Sequence, residues 1–338
     1  MRAMNRRAFL ALTLGSGIAL VSGCRSVRAG AASPSGRPVS IQGPGLTTSR
    51  LAAGGRSVEQ LTVDGVVRRY VRYEPAGLDP AVSVPLVLLL HGRGGSGTIA
   101  ERLYEMNAQA EAHGFVVAYP DALGEPPTWH AGLGMGGAQG DDVAFVRALV
   151  EREANTRPLD LAKLFACGHS SGGMMSYRLA GEASDLFPAV GIVAGSVGVR
   201  GPGGGMMTIL KPERPVSIIH FHGTDDPLVR YDGGSQRGPV GFLSVAESIG
   251  FWVEADGCDP TPTTETVGTA RRETYGGGRD GSEVTLWTID GGGHEWPKTH
   301  ASVQPAMRTV TRAGDISATE LIWAFFAAHP RGAIGRTS

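Results

Sequence analysis

Residues 164–178 read L-F-A-C-G-H-S-S-G-G-M-M-S-Y-R, and the reading of the whole chain starts from how that stretch divides. Residues 164–167 form an apolar run just long enough for a buried strand. Gly168-His169-Ser170-Ser171-Gly172 then matches G-x-S-x-G, and Gly173 follows. From Met174 to Ala180 the apolar residues recur at helical spacing. A strand, a serine between glycines and a helix make the tight turn that lifts a serine hydroxyl above the end of a sheet. The small neighbours let strand and helix approach, and the serine backbone is expected to be strained. The pentapeptide alone carries little weight. With 51 glycines and 23 serines among 338 residues, chance supplies about half of one such match by simple frequency product, so the flanking strand and helix carry the inference.

Moving outward from this turn, strands and helices alternate. Residues 58–73 alternate in polarity around Asp64-Gly65, a dipeptide suited to a tight hairpin. Residues 85–90, P-L-V-L-L-L, are continuously apolar, as a strand buried on both faces requires. They end in His91-Gly92-Arg93-Gly94-Gly95-Ser96. A helix is expected over 99–112, a strand over 115–119, and a glycine-rich loop containing Trp129 over 120–140. Asp141 and Asp142 open a helix over 143–153, since acidic residues favour a helix N-terminus. Beyond the central turn come a strand at 189–194, an aperiodic loop at 198–215, and a strand at 216–221 ending in His222-Gly223-Thr224-Asp225-Asp226-Pro227. A helix at 245–255, strands at 271–275 and 283–289, the run Gly291-Gly292-Gly293-His294-Glu295-Trp296-Pro297, and a helix at 318–328 complete the pattern. Such alternation predicts an α/β fold, with a mostly parallel sheet covered by helices on both faces. The chain has no internal repeat.

The ends of the chain read differently. Arg2, Arg6 and Arg7 precede an apolar run over 8–21, which has signal-peptide length and is short of the roughly 20 residues a bilayer span takes. The segment N-R-R-A-F-L resembles a twin-arginine export signal, and V-S-G-C a bacterial lipobox, in which Cys24 is lipidated and becomes the mature N-terminus. Residues 1–24 are therefore expected to be a signal peptide, 25–55 a flexible linker, and 56–330 the catalytic domain. The expected location is the cell envelope, with plain secretion as the alternative. A net charge of −1 points to no nucleic-acid partner. Twenty-eight of the 31 basic residues are arginine, a compositional bias under which scattered arginines are not evidence of binding sites. With Cys24 assigned to lipid, Cys167 and Cys258 are expected to be free thiols.

Parallel sheets of this kind place chemistry in the loops at the C-terminal ends of their strands. Ser170 is the candidate nucleophile, because it alone of the serine pair has glycine at both −2 and +2; Ser171 is its competitor. A serine hydroxyl needs a base within hydrogen-bond reach. His294 lies after a late strand on a glycine loop and follows the candidate acids, whereas His91, His169, His220 and His222 sit where a histidine commonly serves buried backbone groups. His113, His130, His300 and His329 adjoin no strand end. Asp226, with Asp225 as rival and Asp232 behind both, would orient the base. Serine, acid, histidine is the order found in α/β-hydrolases.

At this point the chain resembles a known group. The segments L-L-L-H-G-R-G-G-S, D-D-V-A-F, C-G-H-S-S-G-G-M-M-S-Y-R-L-A, H-F-H-G-T-D-D-P-L-V-R-Y-D-G-G, D-G-C-D-P-T-P and G-G-G-H-E-W-P, spread over about 58–329, resemble the bacterial poly(3-hydroxybutyrate) depolymerase/feruloyl esterase group of α/β-hydrolases, the LpqC-like esterases. The resemblance implies an α/β-hydrolase fold and a serine esterase working through an acyl-enzyme without metal or organic cofactor. It places the acid directly before Pro227, which favours Asp226. It implies an oxyanion site made by the backbone N–H groups of Arg93 and Ser171, with Trp129 and Trp296 as candidate walls of an acyl or aromatic pocket. Gly181 stands where many of the group carry cysteine, which weakens any pairing of Cys258. No separate polymer-binding domain is expected after His329, so soluble short esters or oligomers are the expected substrates. The expected partners are thus a small or oligomeric ester and, through Cys24, a membrane. A feruloyl or acetyl-xylan esterase is the alternative activity. A catalytically silent envelope binding protein is the alternative of another class.

Overall fold

The turn at Asp64-Gly65 closes as its dipeptide predicts, with φ of 48° and 80°, and joins strands β1 (Gly55–Val63) and β2 (Val66–Glu74) in register from Val63↔Val66 outward. The computed structural model describes residues 55–134, 140–235, 238–299 and 313–332. The expectations for the signal segment, the linker before residue 55, Cys24 and His300 lie outside the described residues. After the hairpin come β3 (Val84–Leu90), α1 (Gly97–Tyr104), α2 (Met106–His113), β4 (Val116–Pro120), α3 (Asp142–Thr156), β5 (Leu159–His169), α4 (Ser171–Glu182) and β6 (Ala189–Val193). They are followed by β7 (Gly198–Arg200), β8 (Met206–Thr208), β9 (Ser217–Gly223), β10 (Gly241–Phe242), α5 (Val245–Asp256), β11 (Thr263–Val267), β12 (Ala270–Tyr275), β13 (Val284–Ile289) and α6 (Ala318–Ala328).

Ten strands form one sheet in the order β1-β2-β4-β3-β5-β6-β9-β13-β12-β11. The six from β4 to β13 pair in parallel, and each edge is finished by an antiparallel pair. The continuous apolar run at β3 explains itself here. Leu86, Leu88 and Leu90 face a core shared with α3, α4 and α5. Val87 and Leu89 face a second core formed with α1, α2 and α6. A central strand with helices on both sides has no solvent face, so alternation disappears. Because β3 has β4 on one side and β5 on the other, the strand order reverses there, and a crevice opens above the strand ends.

Three expectations are corrected. The helix expected over 99–112 is two helices, broken at Glu105 with φ 57°. The Tyr104 carbonyl accepts the Thr319 hydroxyl at 2.7 Å, and Lys298, itself buried, holds the Glu105 carboxylate at 2.9 Å. Tertiary partners thus replace the helical ladder at that point. The aperiodic loop at 198–215 contains β7 and β8, which join β10 in a separate three-stranded sheet. Strands of two or three residues are too short to show a period, and β10 arrives from far along the chain. β11, T-T-E-T-V, is an exposed edge strand with no apolar signal. The two thiols, Cys167 and Cys258, are unpaired and buried. Gly181 also has a local reason, since a Cβ there would come 2.3 Å from the Leu210 carbonyl oxygen. No helix among the described residues is long and apolar enough to cross a membrane.

Asp256 ends α5 fully buried, with one carboxyl oxygen accepting the Val216 N–H at 3.2 Å and the other without a partner among the described residues. Burial pushes its carboxyl up to about 7, against a smaller opposing pull from Arg279. The unfolded chain releases this proton near pH 3.9. Between that pH and about 7 the folded state therefore binds more protons, and stability falls as pH rises. Asp256→Asn removes the titration. Its unfolding free energy should exceed that of the wild type by about 4 kcal/mol at pH 8, with the gain fading toward pH 4. Urea melts at several pH values check this; a pH-independent difference would refute it.

Candidate active site

Ser170 occupies the turn between β5 and α4 with φ 55° and ψ −119°, a conformation that an L-residue holds only when its surroundings enforce it. The enforcement is visible at the neighbouring glycines. A Cβ on Gly168 would lie 2.4 Å from the Gly172 carbonyl carbon, and one on Gly172 would lie 2.3 Å from the Leu90 oxygen. The strand end, the helix start and the end of β3 therefore meet only because both flanking positions lack side chains. Ser170 N–H donates to the Val193 carbonyl at 2.8 Å, and its own carbonyl accepts from Met174 at 2.9 Å. The serine is locked from both sides.

The loop after β13 brings His294 to it. Ser170 Oγ and His294 Nε2 are 2.8 Å apart, and His294 Nδ1 and Asp226 Oδ2 are 2.7 Å apart. The Nδ1–H donates to the carboxylate, which leaves Nε2 as the acceptor for the serine hydroxyl. Asp226 is buried. Its Oδ1 accepts the N–H groups of Leu228 at 2.7 Å and Val229 at 2.9 Å. Burial alone would raise this carboxyl, but hydrogen bonds from His222 and His294 outweigh it and hold the group below the usual carboxylate range. Asp225 and Asp232 are exposed and do not take part.

The loop after β3 passes beside the serine, since a Cβ on Gly92 would sit 3.4 Å from Ser170 Cβ. His91 shapes that loop. Its Nδ1–H donates to the Gly92 carbonyl at 2.7 Å, and its Nε2 accepts the Ala122 N–H at 3.0 Å. In a trans peptide the carbonyl and the following N–H point opposite ways, so the Arg93 N–H is turned away from His91. Ser171 opens α4, where the first N–H groups have no partner within the helix. Its side chain is buried and its hydroxyl lacks a partner among the described residues.

The two tryptophans do not wall an open pocket. Trp129 is completely buried, donates from Nε1 to the His91 carbonyl at 2.9 Å and packs on the His91 ring. Trp296, also buried, stacks on Tyr104 at 4.3 Å and donates to Thr319 at 2.9 Å. Each pins one of the loops that carry the site, so packing took the aromatic surface that a pocket would have used.

His169 and Tyr104 are participants that the sequence did not reveal. Tyr104 hydroxyl and His169 Nδ1 are 3.1 Å apart, and His169 Nε2 lies 3.1 Å from the His294 carbonyl. A carbonyl only accepts, so His169 is protonated on Nε2 and accepts from the tyrosine. Burial first, then the nearby His294, pushes His169 down to about 3. It is a neutral strut that holds the backbone of His294. Tyr104 is the last residue of α1, directly before the break at Glu105. Among the other histidines, His130 meets Arg178, His113 stacks on Trp323 and His329 binds the Phe325 carbonyl. A cleft of about 770 Å³ lies at Arg214, Arg279 and Arg331 near the opposite ends of the strands. It contains no grouping of this kind.

A parallel sheet with its order reversal at β3, a strained serine at the reversal and a histidine–aspartate pair beside it define an α/β-hydrolase. No family model matches the chain. It is 32% identical over 273 residues to "Putative esterase NocK" of Nocardia uniformis subsp. tsuyamanensis, covering 74% of this chain and 77% of that protein. It is 30% identical over 238 residues to feruloyl esterase C of Emericella nidulans, covering 64% of this chain and 78% of the relative. The acetyl xylan esterase structure from Aspergillus awamori superposes with a TM-score of 0.52 at 18% identity, over 70% of this chain and 94% of that one. The chain belongs to the esterase family that includes these two relatives, and it is a serine carboxylic ester hydrolase.

Proposed function

We propose that the chain is an exported serine esterase that hydrolyses soluble short esters or oligomers through an acyl-enzyme. The unbroken hydrogen-bond sequence Ser170–His294–Asp226 carries this reading. Ser170 Oγ attacks the ester carbonyl carbon as its proton passes to His294 Nε2. The Arg93 and Ser171 N–H groups receive the oxyanion. The intermediate collapses, the alcohol leaves with the proton from His294, and water repeats the sequence on the acyl-serine. Asp226 keeps His294 in the productive tautomer and balances the imidazolium.

Two acyl classes have specific support. The six motif blocks favour hydroxyalkanoate oligomers of the depolymerase group, while the names of the relatives favour hydroxycinnamoyl esters. Met206 and Met207, the exposed apolar residues of β8, point to opposite faces of the strand and so do not together form one adsorption surface. Purified protein should hydrolyse p-nitrophenyl acetate and butyrate and either methyl ferulate or hydroxybutyrate oligomers, while the turbidity of a polyhydroxybutyrate suspension stays constant. Clearing of that suspension by anchor-free protein at the rate of a dedicated depolymerase would overturn the substrate-size reading. The signal at residues 1–24 supports an envelope location with Cys24 lipidated. Absence of a fatty-acid label on the full chain in its bacterial host would refute the anchor.

A further inference from the structure

Behind Asp226 lies a second histidine pair that the reaction scheme does not use. His220 and His222 alternate along β9 onto the same face, fully buried, with their rings stacked at 5.2 Å. His222 Nε2 is 2.7 Å from the Val229 carbonyl and 3.4 Å from Asp226 Oδ2. His222 Nδ1 is 2.9 Å from His220 Nε2, and His220 Nδ1 is 2.6 Å from the hydroxyl of Tyr177. Tyr177 lies on α4, the helix that begins at the Ser170 turn.

The partners determine every proton in this chain. The Val229 carbonyl and the Asp226 carboxylate only accept, so His222 carries its proton on Nε2. Its Nδ1 is then bare and accepts from His220 Nε2–H. His220 Nδ1 is bare in turn and accepts the Tyr177 hydroxyl. Burial holds His220 uncharged, and it has no carboxylate partner among the described residues. Each donor in the line points toward the acid. Asp226 thus has all its acceptor positions filled: two backbone N–H groups on Oδ1, and on Oδ2 the N–H of His294 with the longer contact from His222.

We propose that His222 is a positioning residue for the Asp226–His294 pair, with His220 and Tyr177 fixing the tautomer that lets it donate. The proposal rests on the serine-esterase reading. By sharing Oδ2, the His222 N–H draws off part of the charge that Asp226 offers to the His294 imidazolium, and removing it strengthens that hold. Among the described residues, few charged or titratable groups surround the pair. Asp226 faces His294 from the acid loop, neutral His169 faces it from β5 and Glu295 adjoins it in its own loop. The Tyr231 ring meets His222 edge-on at 6.0 Å.

His222→Met removes the donor with little change of volume, and His222→Gln restores an N–H near the same place. The acidic limb of kcat/KM for p-nitrophenyl butyrate, referred to sites counted with a fluorophosphonate, should move up by about one pH unit in His222→Met. It should return toward the wild-type position in His222→Gln. A purely structural role would lower the number of labelled sites and leave the limb in place, and that outcome overturns the proposal. Nitrogen-15 NMR of histidine-labelled wild type gives a second readout without any substitution. His220 and His222 should both appear as neutral Nε2–H tautomers, and an Nδ1–H or doubly protonated His222 would overturn the proposal as well. Failure of the wild type to label with fluorophosphonate would instead sink the serine-esterase reading beneath it.

Discussion

Ser170→Ala is expected to lower kcat for p-nitrophenyl butyrate by about a million-fold and to abolish fluorophosphonate labelling, while the protein remains folded. The size follows from what the hydroxyl does. In the proposed reaction it is the nucleophile, 2.8 Å from His294 Nε2, and no acyl-enzyme forms without it. The fold should survive because the contacts that hold this turn are made by the backbone. The N–H to Val193, the carbonyl to Met174 and the close approach of Gly168 to Gly172 are all unchanged by the substitution. Ser171→Ala is the internal control. The Ser171 hydroxyl is buried and faces no partner among the described residues, while its N–H persists in alanine. That variant should retain most of the activity. A dead Ser171→Ala beside an active Ser170→Ala would mean that the turn is read one residue out of register.

Asp226→Asn should cost about ten-thousand-fold in kcat with a near-native fold, for a reason the hydrogen bonds make explicit. Both backbone contacts to Oδ1, from Leu228 and Val229, are N–H donors, so an amide NH2 cannot occupy that position. It must take the place of Oδ2, where it faces His294 Nδ1 and His222 Nε2. To avoid opposing donors, His294 moves its proton to Nε2 and presents an N–H to Ser170. The base is then lost although every side chain stays in place. Steady-state rates with circular dichroism on the same preparation test this. Near-wild-type turnover in a folded Asp226→Asn would remove Asp226 from the scheme, and loss of fold would show its role to be structural.

How much of this was legible beforehand depended on whether the determining interaction was local. The Asp64-Gly65 hairpin, the apolar run of β3 and helix 318–328 are each dictated by residues adjacent in the chain, and the structure has each of them. The turn at Ser170 is the same kind of case, because the glycines that permit it are two residues away on either side. The break at Glu105 was not legible. Nothing in its neighbourhood disfavours a helix, and the groups that end it, Thr319 and Lys298, come from about two hundred residues on. The short strands β7, β8 and β10 were hidden for a related reason, since a strand of two or three residues exists only through its partner.

The site divides in the same way. Sequence by itself determined which chemical types were available and in what order: a serine between glycines, an aspartate before proline, a histidine on a glycine loop. It also determined that they would fall at strand ends, because hydrophobic periodicity is a property of neighbouring residues. Only the tertiary structure decided which aspartate is buried against His294, that Trp129 and Trp296 are spent on packing two loops, and that His169, His220 and His222 line up behind the reacting groups. Those outcomes depend on distances between segments far apart in the chain, such as His169 and His294, 125 residues apart. Hydrogen-bond direction and desolvation depend on such distances, and no local pattern in a chain encodes them.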